Sequence, residues 1–110
     1  MTTITDLRKR FLDGSLTPEK LIETTLADIH EKNKDINAFI AIYDNIKKEA
    51  EEATKRFATE GDKAPALLGV PIAIKNNILI KGRKATAASK ILESYTATYD
   101  ATIIKKLREA

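Results

Sequence analysis

Apolar positions at the start of the chain recur at helical spacing. Ile4, Leu7 and Phe11 share one face, Thr3 is placed to cap, and Asp6 stands at the third helical position of a capping pattern. Gly14 ends that helix. Thr17-Pro18-Glu19 then combines a capping hydroxyl, a proline at the first helical position and an acid in the first turn. Leu21, Ile22, Thr25, Leu26 and Ile29 continue at the same period and predict an amphipathic helix over residues 18–33. Lys20, Glu23, Asp28, Glu31 and Lys32 lie mostly outside the stripe. Such a helix needs a partner surface, and its stripe is expected to be exposed if that surface lies outside these residues. His30, beside the stripe among charged neighbours, reads as a surface residue.

The pattern then changes. Asn37 to Tyr43 is short, apolar and aromatic-rich, which predicts a strand. Asp44 is placed to cap a third helix whose buried face is Ile46, Ala50, Ala53 and Phe57, opposite Lys47, Lys48, Glu49, Glu51, Glu52, Lys55 and Arg56. Gly61-Asp62 ends it, and Lys63 to Leu67 reads as a loop. Gly69 to Ile74 is an apolar run without helical period, as expected of a strand buried on both faces. A second short run, Ile78 to Ile80, leads to a turn at Lys81-Gly82. Ala85 to Ser89 is built of small residues, which suit close backbone approach. Asp100 is placed to cap a last helix with Ile103, Ile104 and Leu107 on one face. The organisation is therefore α/β, mainly helical over 1–62 and a strand, loop and helix over 63–110. It supplies only two clear strands, fewer than a sheet needs to bury its faces, so the fold is expected to be incomplete.

Composition narrows the chemistry. The chain has 110 residues, no cysteine and one histidine, which excludes disulfide frameworks, thiolate metal sites and a cysteine nucleophile. Its apolar share of 43% is too high for a disordered tail. The longest mid-chain stretch without charge, Ala64 to Ile74, is broken by Pro65, Gly69 and Pro71 and falls short of the roughly 20 apolar residues of a spanning helix. Asp6 and Arg8-Lys9-Arg10 leave no room for a secretory apolar core, so a cytoplasmic location is expected. Residues 1–62 carry ten Lys/Arg against thirteen Asp/Glu, and residues 63–110 carry nine against three. The basic second half could meet an anion or simply be a solvated face, and no nucleic-acid motif accompanies it.

Lys75 is the most pointed candidate. It ends the apolar run, where partial desolvation would favour the neutral amine and a general-base role. Loops at the carboxyl ends of strands are also where α/β folds place their sites. The plainer alternative is a lysine that leaves the sheet edge for solvent. Asn76 and Asn77 either form the turn or hydrogen-bond to orient a site. Ser89 is either a nucleophile or a cap before Lys90-Ile91-Leu92. A glycine-rich phosphate loop, a carboxylate pair and metal-ligand spacing are all missing from the sequence.

The stretch Leu68-Gly69-Val70-Pro71-Ile72-Ala73-Ile74-Lys75-Asn76-Asn77-Ile78 resembles the lysine motif of the amidase-signature family. Lys81-Gly82, Ala88 to Glu93 and Tyr99 to Leu107 are similar to one branch of it, the A subunits of the aspartyl/glutamyl-tRNA(Asn/Gln) amidotransferases. Asn37-Ala38-Phe39-Ile40 after two helices is similar as well. The resemblance implies the amino-terminal portion of an amidase-signature fold, with helices packed on a central mixed sheet. It also implies a Ser–cis-Ser–Lys triad in which neutral Lys75 is the base, with glutamine as ammonia donor. Glu-tRNA(Gln) or Asp-tRNA(Asn) would be served through the amidotransferase B and C subunits as partners. No cofactor is implied for this chain, since ATP is used through another subunit.

Two positions depart from the family. Asn76 stands where an aspartate is usual, which either helps keep Lys75 neutral or disturbs a hydrogen bond. Ala87 replaces a common cysteine, which reads as a packing change. The family's two serines lie downstream of the last helix, and none of Ser15, Ser89 and Ser94 matches them, so the 110 residues alone are expected to be inert. The rival readings are a general amidase acting on small amides and a truncated, non-catalytic helical docking module.

Overall fold

Thr3 closes the amino end of helix α1 (Ile4–Leu12) in the computed structural model, which describes residues 2–110. The Thr3 hydroxyl oxygen accepts from the Asp6 N–H at 3.1 Å, and the Asp6 carboxylate accepts from the Thr3 N–H at 3.0 Å. Both bonds of the predicted capping box are made. The Asp6 carboxyl is held below its ordinary pKa first by the Thr3 hydroxyl, which donates to it at 2.7 Å, and next by the Thr3 N–H. Gly14, at φ +75°, turns the chain out of the helix.

Helix α2 (Pro18–Ile36) starts as its sequence requires, with Pro18 in the first turn and the Thr17 hydroxyl accepting from the Lys20 N–H at 3.2 Å. It runs three residues past the predicted end and stops at Asn37, whose left-handed backbone (φ 52°) forms the cap. Helix α3 (Ile46–Glu60) follows, with Gly61 as its carboxyl cap. Its capping residue is Asn45 rather than Asp44, and no side-chain cap bond forms there.

The molecule divides into two compact units, one ending at Pro71 and one spanning Ile72–Ala110. In the first, α2 and α3 pack together, with Ile22, Ala50 and Ala53 buried. Phe11 of α1 meets Phe57 of α3 with ring centroids 5.3 Å apart and planes tilted by 52°, and Ala64 completes that buried cluster. Leu7, Leu16, Leu21, Leu68 and Val70 pack around it. Arg8 donates to the carbonyls of Asp62 (2.8 Å) and Pro65 (3.0 Å), tying α1 to the segment that follows α3. Partner surface for the α2 stripe thus lies within these residues, and the stripe is not exposed: Ile22 is buried, and Leu21, Leu26 and Ile29 are half-buried.

The expected strands do not form among the described residues, and the expected mixed sheet is not seen there. The nearest feature to one is a single antiparallel bridge between Lys84 and Thr96. In segment 37–43 a side chain takes the place of a neighbouring strand. Asn33 accepts from the Phe39 N–H at 2.8 Å and donates to the Phe39 carbonyl at 2.9 Å. In the run 69–74, Gly69 belongs to a turn closed by Val70 N–H on the Leu67 carbonyl at 3.1 Å. The rest of that run, and Ile78 to Ile80, have no extended neighbour among the described residues to complete a ladder. A strand needs such a neighbour to satisfy its backbone groups; a helix does not.

In the second unit the buried side chains are Ile80, Ala85, Ala97 and Ile104. Backbone bonds lace 82–85 to 95–97: Gly82 N–H to the Ala97 carbonyl (2.8 Å), Ala97 N–H to the Arg83 carbonyl (2.9 Å) and Ala85 N–H to the Tyr95 carbonyl (3.3 Å). Helix α4 (Thr102–Glu109) ends the unit, and its capping residue is Ala101, not Asp100. Asp100 is drawn away from the cap because its carboxylate accepts from the Lys81 N–H at 2.8 Å and pairs with Arg108 at 2.6 Å.

Candidate functional site

Lys75 opens a β-turn. Its carbonyl accepts from the Ile78 N–H at 2.9 Å, which places Asn76 and Asn77 at the two central positions. The side chain of Lys75 is exposed, and among the described residues its ammonium has no hydrogen-bond or ion-pair partner. The partial desolvation expected at the end of a buried strand is therefore not supplied by these residues, because no sheet forms around it.

Asn76 both forms the turn and makes side-chain hydrogen bonds. Within the turn it is a central residue, and across the unit it is an acceptor. Its Oδ1 accepts from the Thr86 N–H at 2.5 Å and from the Thr86 hydroxyl at 3.1 Å, and its carbonyl accepts from the Ala87 N–H at 3.1 Å. Asn76 and Thr86 are half-buried, so water competes less for these bonds.

The partner of Asn76 is itself a turn. Ser89 N–H donates to the Thr86 carbonyl at 2.8 Å, and both central residues have positive φ, 47° at Ala87 and 57° at Ala88. Two left-handed central residues mark a type I′ turn, which glycine or asparagine adopts easily and alanine does not. The expected packing change at Ala87 is thus a backbone matter, since Ala87 is exposed. Ser89 is half-buried and occupies the capping position of a short 3-10 turn, Lys90–Leu92, without a side-chain cap bond. Ser94 is exposed, and Ser15 belongs to the first unit, where its N–H donates to Asp13 at 2.9 Å.

Thr86 is the residue that sequence reasoning missed. Its neighbours are small and uninformative, and the contact with Asn76 spans ten positions of sequence. Among the described residues no group of three His, Asp or Glu side chains is arranged to hold a metal. No helix there is long and apolar enough to cross a membrane.

The family model described as amidase matches residues 20–110, most of the chain and all of the Lys75 and Thr86 turns. The chain belongs to the amidase family.

Curated relatives refine that placement. The amidase chain is 39% identical over 109 residues to the glutamyl-tRNA(Gln) amidotransferase A subunit of Fusobacterium nucleatum, a match covering 97% of this chain and 22% of the relative. It is 41% identical over 107 residues to the second of the glutamyl-tRNA(Gln) amidotransferase A subunits of Clostridium acetobutylicum, covering 96% and 22%. The corresponding A subunit of Lactobacillus gasseri is 45% identical over 107 residues, covering 97% and 21%. The chain thus spans about a fifth of the length of the curated relatives it matches.

Proposed function

We propose that these residues are the amino-terminal part of a glutamine-hydrolysing amidotransferase A subunit, and that Lys75 is its general base. The observation that carries the reading is the similarity of nearly the whole chain to proteins named as glutamyl-tRNA(Gln) amidotransferase A subunits, 39–45% identical in the comparisons above. The Lys75 ammonium, without a partner among the described residues and at the head of a tied turn, supports it. A base must exchange protons with a substrate-side hydroxyl, and a lysine committed to a carboxylate would be held protonated.

In this reading the rest of a single amidase domain covers Lys75 and supplies extended neighbours for segments 37–43 and 70–74, completing a mixed sheet. Burial then favours the neutral amine. Neutral Lys75 Nζ accepts a proton from a bridging serine, which accepts one from the nucleophilic serine. That oxygen attacks the side-chain carbonyl carbon of glutamine, and backbone N–H groups hold the tetrahedral oxyanion. The C–N bond breaks, ammonia leaves with the proton returned along the same path, and water releases glutamate from the acyl-enzyme. Neither serine is Ser15, Ser89 or Ser94, so the 110 residues alone are inert.

The ammonia then serves a cytoplasmic complex with the amidotransferase B and C subunits. There Glu-tRNA(Gln), and in some settings Asp-tRNA(Asn), is activated with ATP outside this chain and amidated.

The test is glutamine hydrolysis by the full-length protein with and without the B partner. Hydrolysis that depends on that partner, and that a folded Lys75→Ala variant lacks, is the expected result. Ammonia release indifferent to the partner and to tRNA would remove the amidotransferase reading, and an active Lys75→Ala protein would remove the base assignment.

A further inference from the structure

The residue after Lys75 is bonded more heavily than its place in a turn requires. Asn76 needs no side-chain partner to occupy the first central position of the Lys75–Ile78 turn. It nevertheless takes three hydrogen bonds from two consecutive residues: the N–H and hydroxyl of Thr86 and the N–H of Ala87. Those two N–H groups belong to the first two residues of the turn that runs from Thr86 to Ser89. The bonds therefore join one turn to another across ten positions of sequence.

The second turn is a poor one for its residues. Ala87 and Ala88 both hold left-handed backbone that L-alanine resists because of its Cβ. A turn of this kind persists where the surroundings over-determine it, and strained backbone concentrates at functional sites. Asn76 supplies that fixing from one side and the Ser89 N–H on the Thr86 carbonyl from the other. The constraint is mutual, since the turn that Asn76 holds also holds Asn76. The main chain of Lys75 is thereby located twice, by the Ile78 N–H on its own carbonyl and by the bonds on the next residue.

We propose that Asn76 is a positioning residue for Lys75, locking the Lys75 turn to the Thr86–Ser89 turn so that the Lys75 backbone presents its amine from one fixed place. The proposal rests on Lys75 being the base. Asn76 touches no reacting atom; it removes motion from the main chain that carries one. The Lys75 side chain has no other partner among the described residues, so its aim depends on where its Cα is held. A misplacement of about 1 Å in such a group costs on the order of a hundredfold in rate. An amide suits the role because it accepts the same bonds as a carboxylate without placing a negative charge beside the amine.

The experiment is steady-state glutamine hydrolysis by the full-length protein in its complex, each variant assayed at its own pH optimum. Asn76→Ala is expected to lower kcat by ~10- to 100-fold while KM stays within about twofold, because substrate contacts are untouched. Asn76→Asp keeps the acceptor and is expected to recover most of that loss. Wild-type kcat in Asn76→Ala overturns the proposal, and so does an Asn76→Asp protein as slow as Asn76→Ala. If Asn76→Ala does not fold, Thr86→Val reads the same contact by removing the hydroxyl donor alone. A fall in kcat of about fivefold at constant KM is then expected, and an unchanged kcat overturns the proposal. Lys75→Ala, run alongside, separates the two readings. Activity in that variant defeats the base assignment whatever Asn76 shows, whereas an inactive Lys75→Ala beside a fully active Asn76→Ala defeats the positioning role alone.

Discussion

Gly69 lies directly over Pro18. A Cβ built on Gly69 would stand 2.7 Å from Pro18 Cγ, closer than side-chain carbons approach, and 3.0 Å from Pro18 Cβ, tighter than most such contacts. Pro18 is the largest fully buried side chain among the described residues, and Gly69 also holds φ +75° at the turn before Val70. Gly69→Ala therefore meets two penalties at once, a left-handed alanine and a clash with a ring that has no room to move. A loss of about 2 kcal/mol or more is expected in denaturant unfolding. A loss below half that amount would show that the segment moves away from Pro18 at little cost.

Asn33 closes a two-bond clasp on Phe39, with its amide standing in for a neighbouring peptide group. Asn33→Ala leaves both Phe39 backbone groups without that partner. The Phe39 amide is expected to exchange with solvent about ten times faster, with the middle of α2 unaffected. Unchanged exchange at Phe39 would mean that something other than Asn33 protects it.

Asp100 links the Lys81–Gly82 turn to α4 through the Lys81 N–H and the Arg108 guanidinium. These contacts hold its carboxyl below the ordinary aspartate pKa, the Lys81 N–H contributing first and the charge of Arg108 next among the lowering influences. For a depressed carboxyl the stabilisation is present above the unfolded value of about 3.9 and fades as pH falls through the folded value. The Lys81 amide proton shift should report a midpoint below that of a free aspartate. A midpoint at or above the free value would show that the bond does not persist in solution.

The Thr86–Ser89 turn carries strain that a single change can relieve. Ala88→Gly removes the Cβ at a left-handed position and is expected to raise stability by about 1 kcal/mol in thermal unfolding. Ala85→Gly is the control, since Ala85 is buried and has no positive φ, and it should destabilise. A destabilised Ala88→Gly would mean that the turn's left-handed backbone is not populated.

The sequence by itself determined where the first three helices run and how two of them begin. Thr3 and Asp6 bond backbone groups three positions apart, Thr17 bonds the Lys20 N–H, Pro18 fixes its own φ in the first turn, and Gly14 and Gly61 supply the reversals that end α1 and α3. The Lys75 motif was equally legible as a resemblance. Tertiary structure alone decided what each remaining polar group bonds. Asp44 and Asp100 both carry capping chemistry, yet Asn45 and Ala101 stand at the cap positions, and Asp100 serves Lys81 and Arg108. Segments 37–43 and 69–74 have strand composition, but one is clasped by Asn33 and the other begins in the Gly69 turn. Among the described residues Lys75 is exposed, with no sheet there to cover it. The division has one physical cause. A helix satisfies its own backbone within four residues, so local sequence suffices, whereas a strand, a buried lysine or a turn-to-turn bond needs a partner remote in the chain.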